Sequence, residues 1–312
     1  MRIVIAGGTG FVGSPLAEMY AEEGHDVRVL TRSLPDGESR HDPGTGKPGI
    51  TRVGWRPNGT AGAWAAAVDG ADAVVNLAGE SLADGRWTPK RKAAMRDSRI
   101  LATRSAVEAI RAAGTPPPVL VNSSAVGYYG PSGSEPKTED APHSRDFLGE
   151  LAEAWEGEAR RAEAAGTRVV LLRTGLVLER AGGALPRMVT PFKFFVGGPL
   201  GSGRQYISWI HRLDMIEMIR WVIETPAVTG PLNAVAPHPV TNREFMKALG
   251  RALRRPSFMP APGFALKLLL GEMAGPLLLT GQRVVPAKAQ SHGYHFRYPE
   301  IDIAMRGIFG EG

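Results

Sequence analysis

The feature that most constrains this chain is at its start, "RIVIAGGTGFVGSPLAEMYAEEGHDVRVLT". A short apolar run ends in a glycine cluster, a helix-like stretch follows, and a second apolar run begins about twenty residues on. Gly7, Gly10 and Gly13, with Gly8 beside them, form a G-x-x-G-x-x-G turn between strand and helix. Such a turn lets the backbone come close to a pyrophosphate and aims the first N–H groups of the helix at the anion. Gly7, Thr9, Gly10, Phe11, Val12 and Gly13 are therefore the candidate phosphate-binding residues.

The alternation continues. "DVRVLT" (26–31), "ADAVVNLA" (71–78), "PVLVNSS" (118–124) and "RVVLLRT" (168–174) read as further strands. Helical spacing runs through 11–24, 88–114 and 147–166, and each stretch ends in glycine. This order predicts an α/β fold of Rossmann type, a doubly wound parallel sheet with helices on both faces. The Pro- and Gly-rich stretch 33–49 reads as a surface loop. Beyond about residue 180 the pattern loosens, with helices predicted over 213–224 and 241–253. Thr241 or Asn242 would cap the second of these, helped by Glu244. The expected organisation is a coenzyme-binding domain over 1–180 and a smaller α/β substrate lobe over 181–312.

The end of the second strand reports on the coenzyme. A carboxylate there would hold a ribose 2′-hydroxyl, but the strand ends Leu30-Thr31-Arg32-Ser33 and the first carboxylate is Asp36. Arg32 suits a 2′-phosphate, so NADP(H) is expected in preference to NAD(H). "NLAG" closes another strand, and Leu77, Ala78 and Gly79 are expected beneath the ribose and nicotinamide.

Composition narrows the chemistry. No cysteine is present among the 312 residues, which excludes disulfides, thiol nucleophiles and thiolate metal sites. The histidines of "HGYH" have no further ligands near them, so no metal is expected. A net charge of +6 is modest, and "PKRK" (89–92) and "RALRRP" (251–256) read as solvated helix faces, so no nucleic-acid partner is expected. The apolar stretch 264–281 carries Lys267, Glu272, Gly271, Gly275 and Pro276, and reads as one or two buried or groove-lying helices rather than a span. With no leader recognised before the first strand, a soluble, cytoplasmic protein with no membrane partner is expected, as monomer or homodimer.

The motifs "AGGTGFVG", "VVNLAG", "VNSSAVGYYG" and "LLRTGLVL" together resemble the extended short-chain dehydrogenase/reductases, which include the nucleotide-sugar epimerases. The chain looks most like an atypical branch called epimerase family proteins, whose C-terminal domain of unknown function is similar to residues 260–305. In the wider superfamily a Ser and a Tyr-x-x-x-Lys pair do the proton work, the lysine lowering the pKa of the tyrosine. By this resemblance Leu148 stands at the tyrosine position, Ala152 at the lysine position, and Glu156 where the family often keeps a glutamate.

What the resemblance leaves for catalysis is Ser124, Tyr129 (or Tyr128) and Arg99, the last at the position of a superfamily asparagine. Ser124 would face the substrate. Arg99 would hold an anionic substrate or a developing oxyanion. A phenol without a lysine is a poor base at neutral pH but can still donate, which favours carbonyl reduction. His211 and Asp214 read as a turn-holding histidine and a cap for a helix beginning near Met215, and Arg204 and Gln205 as cleft residues. Three functions stay open: an NADP(H)-dependent oxidoreductase on an unknown small carbonyl or hydroxyl compound, a catalytically weak NADP(H)-binding or redox-sensing protein, and a nucleotide-sugar epimerase.

Overall fold

The computed structural model describes residues 1–41 and 49–310. Its strands are β1 (Arg2–Ala6), β2 (Asp26–Thr31), β3 (Ser39–His41), β4 (Ile50–Gly54), β5 (Ala73–Asn76), β6 (Val119–Ala125), β7 (Pro136–Lys137), β8 (Arg168–Thr174), β9 (Leu176–Leu178), β10 (Tyr206–Ile207), β11 (Trp209–His211), β12 (Gly230–Ala234), β13 (Val240–Thr241) and β14 (Arg283–Val284). The helices are α1 (Gly13–Glu22), α2 (Pro89–Ala112), α3 (Phe147–Arg160), α4 (Leu185–Lys193), α5 (Arg212–Glu224), α6 (Asn242–Leu253), α7 (Gly263–Leu270), α8 (Ala287–Ser291) and α9 (Ile301–Phe309).

Eight strands form the main sheet in the order β12-β8-β6-β5-β1-β2-β4-β3, parallel throughout except for the edge pair β3–β4. The reason is legible strand by strand. Ile3 and Ile5 of β1 point into one core with Leu16, Tyr20, Met215, Ile219 and Val222, which covers that face with α1 and α5. Val4 and Ala6 point into the other, with Trp64, Ala102, Val107 and Ile110, which covers it with α2. Strands buried on both faces read as near-continuous apolar runs, and these do along most of their length, with polar residues such as Asn76, Asn122 and Arg173 toward their C-terminal ends. A third core joins Phe192 of α4, Phe245 and Leu249 of α6, and Met305 and Ile308 of α9 into a smaller lobe.

Three strands of the main sheet, β3, β4 and β12, escape the sequence reading. Ser39–His41, inside the expected loop 33–49, pairs antiparallel with β4, while residues 42–48 of that loop lie outside the described residues. β12 comes from the expected lobe yet pairs in parallel with β8 in the main sheet, and α5 packs beneath it. The chain thus crosses the expected boundary at 180 and returns. The stretch 264–281 differs too: α7 buries none of its residues, and only Met273 and Ala274 beyond it reach the interior. Of the described helices, none is long and apolar enough to cross a membrane.

At α6, Thr241 caps the helix in a capping box with Glu244. At α5 the roles differ from expectation. His211 is the cap, accepting from the Leu213 N–H at 3.1 Å. Asp214 lies in the first turn and accepts from the N–H groups of Arg297 and Tyr298, so it anchors the C-terminal segment instead. Burial pushes the His211 pKa down to about 4, which keeps the ring neutral and stacked on Tyr298.

Candidate functional site

β1 has β2 on one side and β5 on the other, so the strand order reverses at β1, and ligands of such sheets lie outside the strand ends at that point. The glycine turn follows β1 here. Gly7 has φ +78°, and a Cβ on it would lie 2.8 Å from the carbonyl carbon of Leu77; one on Gly13 would lie 2.3 Å from the Gly7 carbonyl oxygen. Only glycine lets the turn pack this closely against the end of β5. Thr9 and Gly10 are exposed, Phe11 and Val12 half-buried. No side chain caps α1, whose N-terminus is therefore left to an outside anion. The Phe11 ring rests against Gly182 and Gly183, and Arg212 lies over it at 5.5 Å, which fixes the turn to the second half of the chain.

At the end of β2, Arg32 is exposed and has no carboxylate partner among the described residues. Asp36 is occupied: its carboxylate accepts from the Ala63 N–H at 2.9 Å. Arg56, just past β4, is also exposed and donates to the Arg32 carbonyl at 3.1 Å. Sequence reasoning passed over Arg56 because the strand before it, "ITRVG", alternates weakly and follows a loop rich in glycine and proline.

Leu77 and Ala78 are half-buried and Gly79 exposed. Their loop stands on a buried polar floor. The Asn76 amide nitrogen donates to Thr103 and Asn122, and Trp155 donates to Thr103 as well. Arg99 completes this floor. It donates to the carbonyls of Met95 and Glu80 at 2.9 and 2.8 Å and lies over the Trp155 ring at 5.2 Å. Burial pulls its pKa down to about 10. The Arg99 guanidinium therefore supports the 77–80 loop from beneath.

The other end of the site is arranged differently. Ser124 is buried and donates to Glu156 at 2.7 Å. Glu156 is paired with Arg173, Nε to Oε1 at 2.8 Å and Nη2 to Oε2 at 3.0 Å, and with Arg160 at 3.2 Å. Arg173 also donates to the Tyr129 hydroxyl and to the Glu139 carbonyl, both at 2.9 Å. The Tyr129 hydroxyl in turn donates to the Asn233 side-chain oxygen at 2.7 Å. Burial pushes its pKa up to about 12, against the pull of Arg173. Burial alone would lower the Arg173 pKa, but the bonds to Glu156 outweigh it and hold it above its ordinary value. Tyr128 is buried as well, 3.4 Å beneath the Arg173 guanidinium.

This chain of groups ties β6, α3, β8 and β12 together. The hydroxyls of Ser124 and Tyr129 both donate within the protein. Ser123, one residue earlier in β6, points the other way: it is half-buried and its hydroxyl has no partner among the described residues. The switch from Ser124 to Ser123 is a matter of strand period, which the pair "SS" leaves unresolved. Arg173 carried a signal in the sequence, because a lone charge in the apolar run "RVVLLRT" must find a buried partner. Leu148 and Ala152 offer no polar atom: Leu148 packs with Trp87, Met95 and Met273, and Ala152 with Tyr128 and Tyr129. Gln205 donates to the carbonyls of Leu200 and Leu278 and so ties its loop to the C-terminal segment; Arg204 is exposed.

A glycine turn on an uncapped helix, at the switch point of a doubly wound sheet, defines a dinucleotide-binding protein of extended short-chain dehydrogenase/reductase fold. The chain belongs to the NAD dependent epimerase/dehydratase family, whose model matches residues 3–234, and residues 261–308 match a domain of unknown function, DUF1731. Among its relatives are the Arabidopsis thaliana epimerase family protein SDR39U1 homolog, described as chloroplastic, at 41% identity over 99% of this chain and 86% of that protein, and Bacillus subtilis epimerase family protein YfhF, at 39% over 100% and 99%. The crystal structure of human epimerase family protein SDR39U1 (isoform2) with NADPH superposes with a TM-score of 0.88 at 35% identity, covering both chains fully. A dTDP-glucose 4,6-dehydratase from Streptomyces venezuelae, at 20% identity over 99% and 96% of the chains and TM-score 0.77, shares the fold.

Proposed function

We propose that this protein holds NADP(H) across the switch point and acts as an oxidoreductase on a small carbonyl or hydroxyl compound without a Tyr–Lys pair. The observation that carries the reading is the state of the groups at the end of β2. The next carboxylate along the chain, Asp36, is bonded away, while the Arg32 guanidinium is exposed and has no carboxylate partner among the described residues, with Arg56 beside it. Two cations without a carboxylate suit a 2′-phosphate and give a bare 2′-hydroxyl no charged acceptor for its proton. The human relative solved with NADPH is consistent with this. Gly7, Thr9, Gly10, Phe11, Val12 and Gly13 would hold the pyrophosphate. Leu77, Ala78 and Gly79 would lie beneath the nicotinamide riboside.

When bound, the nicotinamide supplies or takes up hydride. The chain's own part is to place the other reactant. Ser123 can donate to an oxygen at the end of β6, and Arg99 keeps the 77–80 loop in register from below. Ser124 and Tyr129 would act as positioning residues, through Glu156 and Arg173. A strong base is lacking at Leu148 and Ala152, which puts an epimerase, needing efficient removal of a hydroxyl proton, behind the reductase reading. The second reading is a coenzyme-holding protein with little turnover. It is favoured by the hydrogen bonds that already occupy Ser124 and Tyr129.

Fluorescence titration with NADPH and NADH tests the coenzyme. A preference for NADPH of at least about tenfold, lost in Arg32→Ala, is expected. Equal affinities would reject it. Single-turnover oxidation of bound NADPH against a panel of aldehydes and ketones separates the two readings; no oxidation with any of them favours the second.

A further inference from the structure

The smaller lobe carries an unusual combination on its surface. Of the eleven large apolar side chains exposed among the described residues, eight lie in 194–196 and 258–269. Phe194 is 72% exposed, Phe195 54%, Phe264 76% and Leu268 79%. The two segments run side by side: Met259 donates to the Gly197 carbonyl, Ala261 to that of Pro199, and Gly201 to that of Ala261. α7 starts directly afterwards, with Phe264 and Leu268 four residues apart and so on one side of it. The backbone is strained in the same place. The two non-glycine residues with positive φ among the described residues are Phe195 (61°) and Arg254 (53°), so the exposure of Phe194 and Phe195 is held at a cost.

The charge these segments carry is of one sign. Residues 181–213 and 245–271 contain nine Lys and Arg and no Asp or Glu. Arg187, Arg212 and Arg251 are answered from outside the segments by Asp84, Glu179 and Asp302, whereas Lys193, Arg254 and Arg255 have no carboxylate partner among the described residues. Next to the phenylalanines, a cavity of about 340 Å³ has Val189, Phe192 and Phe309 in its wall and Arg180, Lys193 and Arg255 around it. None of these three cations has a carboxylate partner among the described residues, and Arg255 lies over the Phe195 ring at 4.6 Å.

We propose that this face, from the end of α4 through Phe258 and Met259 to α7, docks on an anionic lipid surface. Protruding Phe, Leu and Met side chains enter the headgroup layer, while Lys193, Arg254 and Arg255 meet lipid phosphates. A second copy of the chain fits less well. Two-fold pairing would set these cations against themselves, with no carboxylate in either segment to answer them. A folded protein partner would have to match several separate protrusions in shape, which a fluid lipid layer need not do. A nucleic acid would use the arginines and phenylalanines but leave Val196, Met259, Leu268 and Leu269 in water. The expectation of no membrane partner rested on the lack of a spanning segment and does not bear on surface contact.

The test is co-sedimentation of the full chain with phosphatidylcholine vesicles, with and without about one-third phosphatidylglycerol. The protein is expected to pellet with the anionic vesicles only and to be released at about 1 M salt, where charges are screened within about 3 Å. Phe194→Ser with Phe195→Ser, and separately Arg254→Glu with Arg255→Glu, should each weaken partitioning about tenfold or more. Their urea midpoints should match that of the parent chain. No pelleting with anionic vesicles overturns the proposal, as does pelleting that the charge reversal leaves unchanged. It is also overturned if light scattering shows a dimer that the Phe194/Phe195 variant abolishes, or if a single-stranded oligonucleotide binds more tightly than the vesicles do.

Discussion

The two ends of the candidate site are built on opposite terms. At the glycine turn the polar groups are left open: α1 is uncapped, Thr9 and Gly10 are exposed, and Arg32 has no carboxylate partner among the described residues. At the end of β6 nearly every polar group is satisfied within the protein. Ser124, Glu156, Arg173, Tyr129 and Asn233 hand hydrogen bonds from one to the next. Open donors await a ligand, whereas a closed buried network holds elements together. The comparison teaches that residues at family-typical positions need not keep family-typical work. One end is closed on itself by hydrogen bonds, and the other leaves its polar groups open.

The harshest way to break this comparison is Glu156→Ala. It strands the Arg173 guanidinium in the core, and removing one partner of a buried pair costs about 3–5 kcal/mol. Urea unfolding should show that loss, while the protein that remains folded keeps its NADPH affinity. A variant as stable as the parent would mean that the network is not a joint.

Gly13→Ala attacks the receptor end. The added Cβ would sit 2.3 Å from the Gly7 carbonyl oxygen, so the turn must open. NADPH affinity by calorimetry is expected to fall by about thirtyfold or more, or about 2 kcal/mol. The loss should exceed the accompanying change in unfolding midpoint.

Arg32→Ala is milder. One charge-assisted contact of about 1.5 kcal/mol corresponds to roughly a tenfold loss for NADPH, with NADH unaffected. Arg56→Ala should show the same selectivity with a smaller effect, because its guanidinium is already engaged with the Arg32 carbonyl.

The smallest effect sharpens the view of the second half. His211 is neutral in the fold, its pKa held at about 4, and titrates near 6.5 when unfolded. Between those values the unfolded chain binds the extra proton, so stability falls as pH falls. From pH 7 to 5.5 the loss is about 1 kcal/mol, and His211→Asn should flatten that slope in urea midpoints measured across the range. An unchanged slope would assign the pH dependence to other groups.

The legible part of the structure was local. β1, β2 and β8 fall where apolar runs end in glycine, arginine or threonine, and the Thr241–Glu244 box is found as read. The glycine turn, Arg32 and the apolar pair Leu148 and Ala152 could be found because each is a matter of residue type at a fixed spacing. β4 and β12 could not, since "ITRVG" and "GPLNA" become strands only by pairing with β2 and β8. The exposure of α7 was equally hidden, because an apolar octapeptide reads the same in a core as on a surface.

What the sequence by itself determined is the entry unit: a strand, a turn that only glycine can make, a helix aimed at an anion, and the absence of a tyrosine and lysine on α3. Chain-local sterics and the periods of strand and helix suffice for that. Tertiary structure alone decided which serine faces outward and that Asp36 is occupied by Ala63. It also decided that Tyr129 is bound to Asn233, 104 residues away, and that the apolar stretch after residue 193 stays in water. Those outcomes depend on which distant groups fold against one another, and a buried charge or hydroxyl takes whatever partner the packing brings to it.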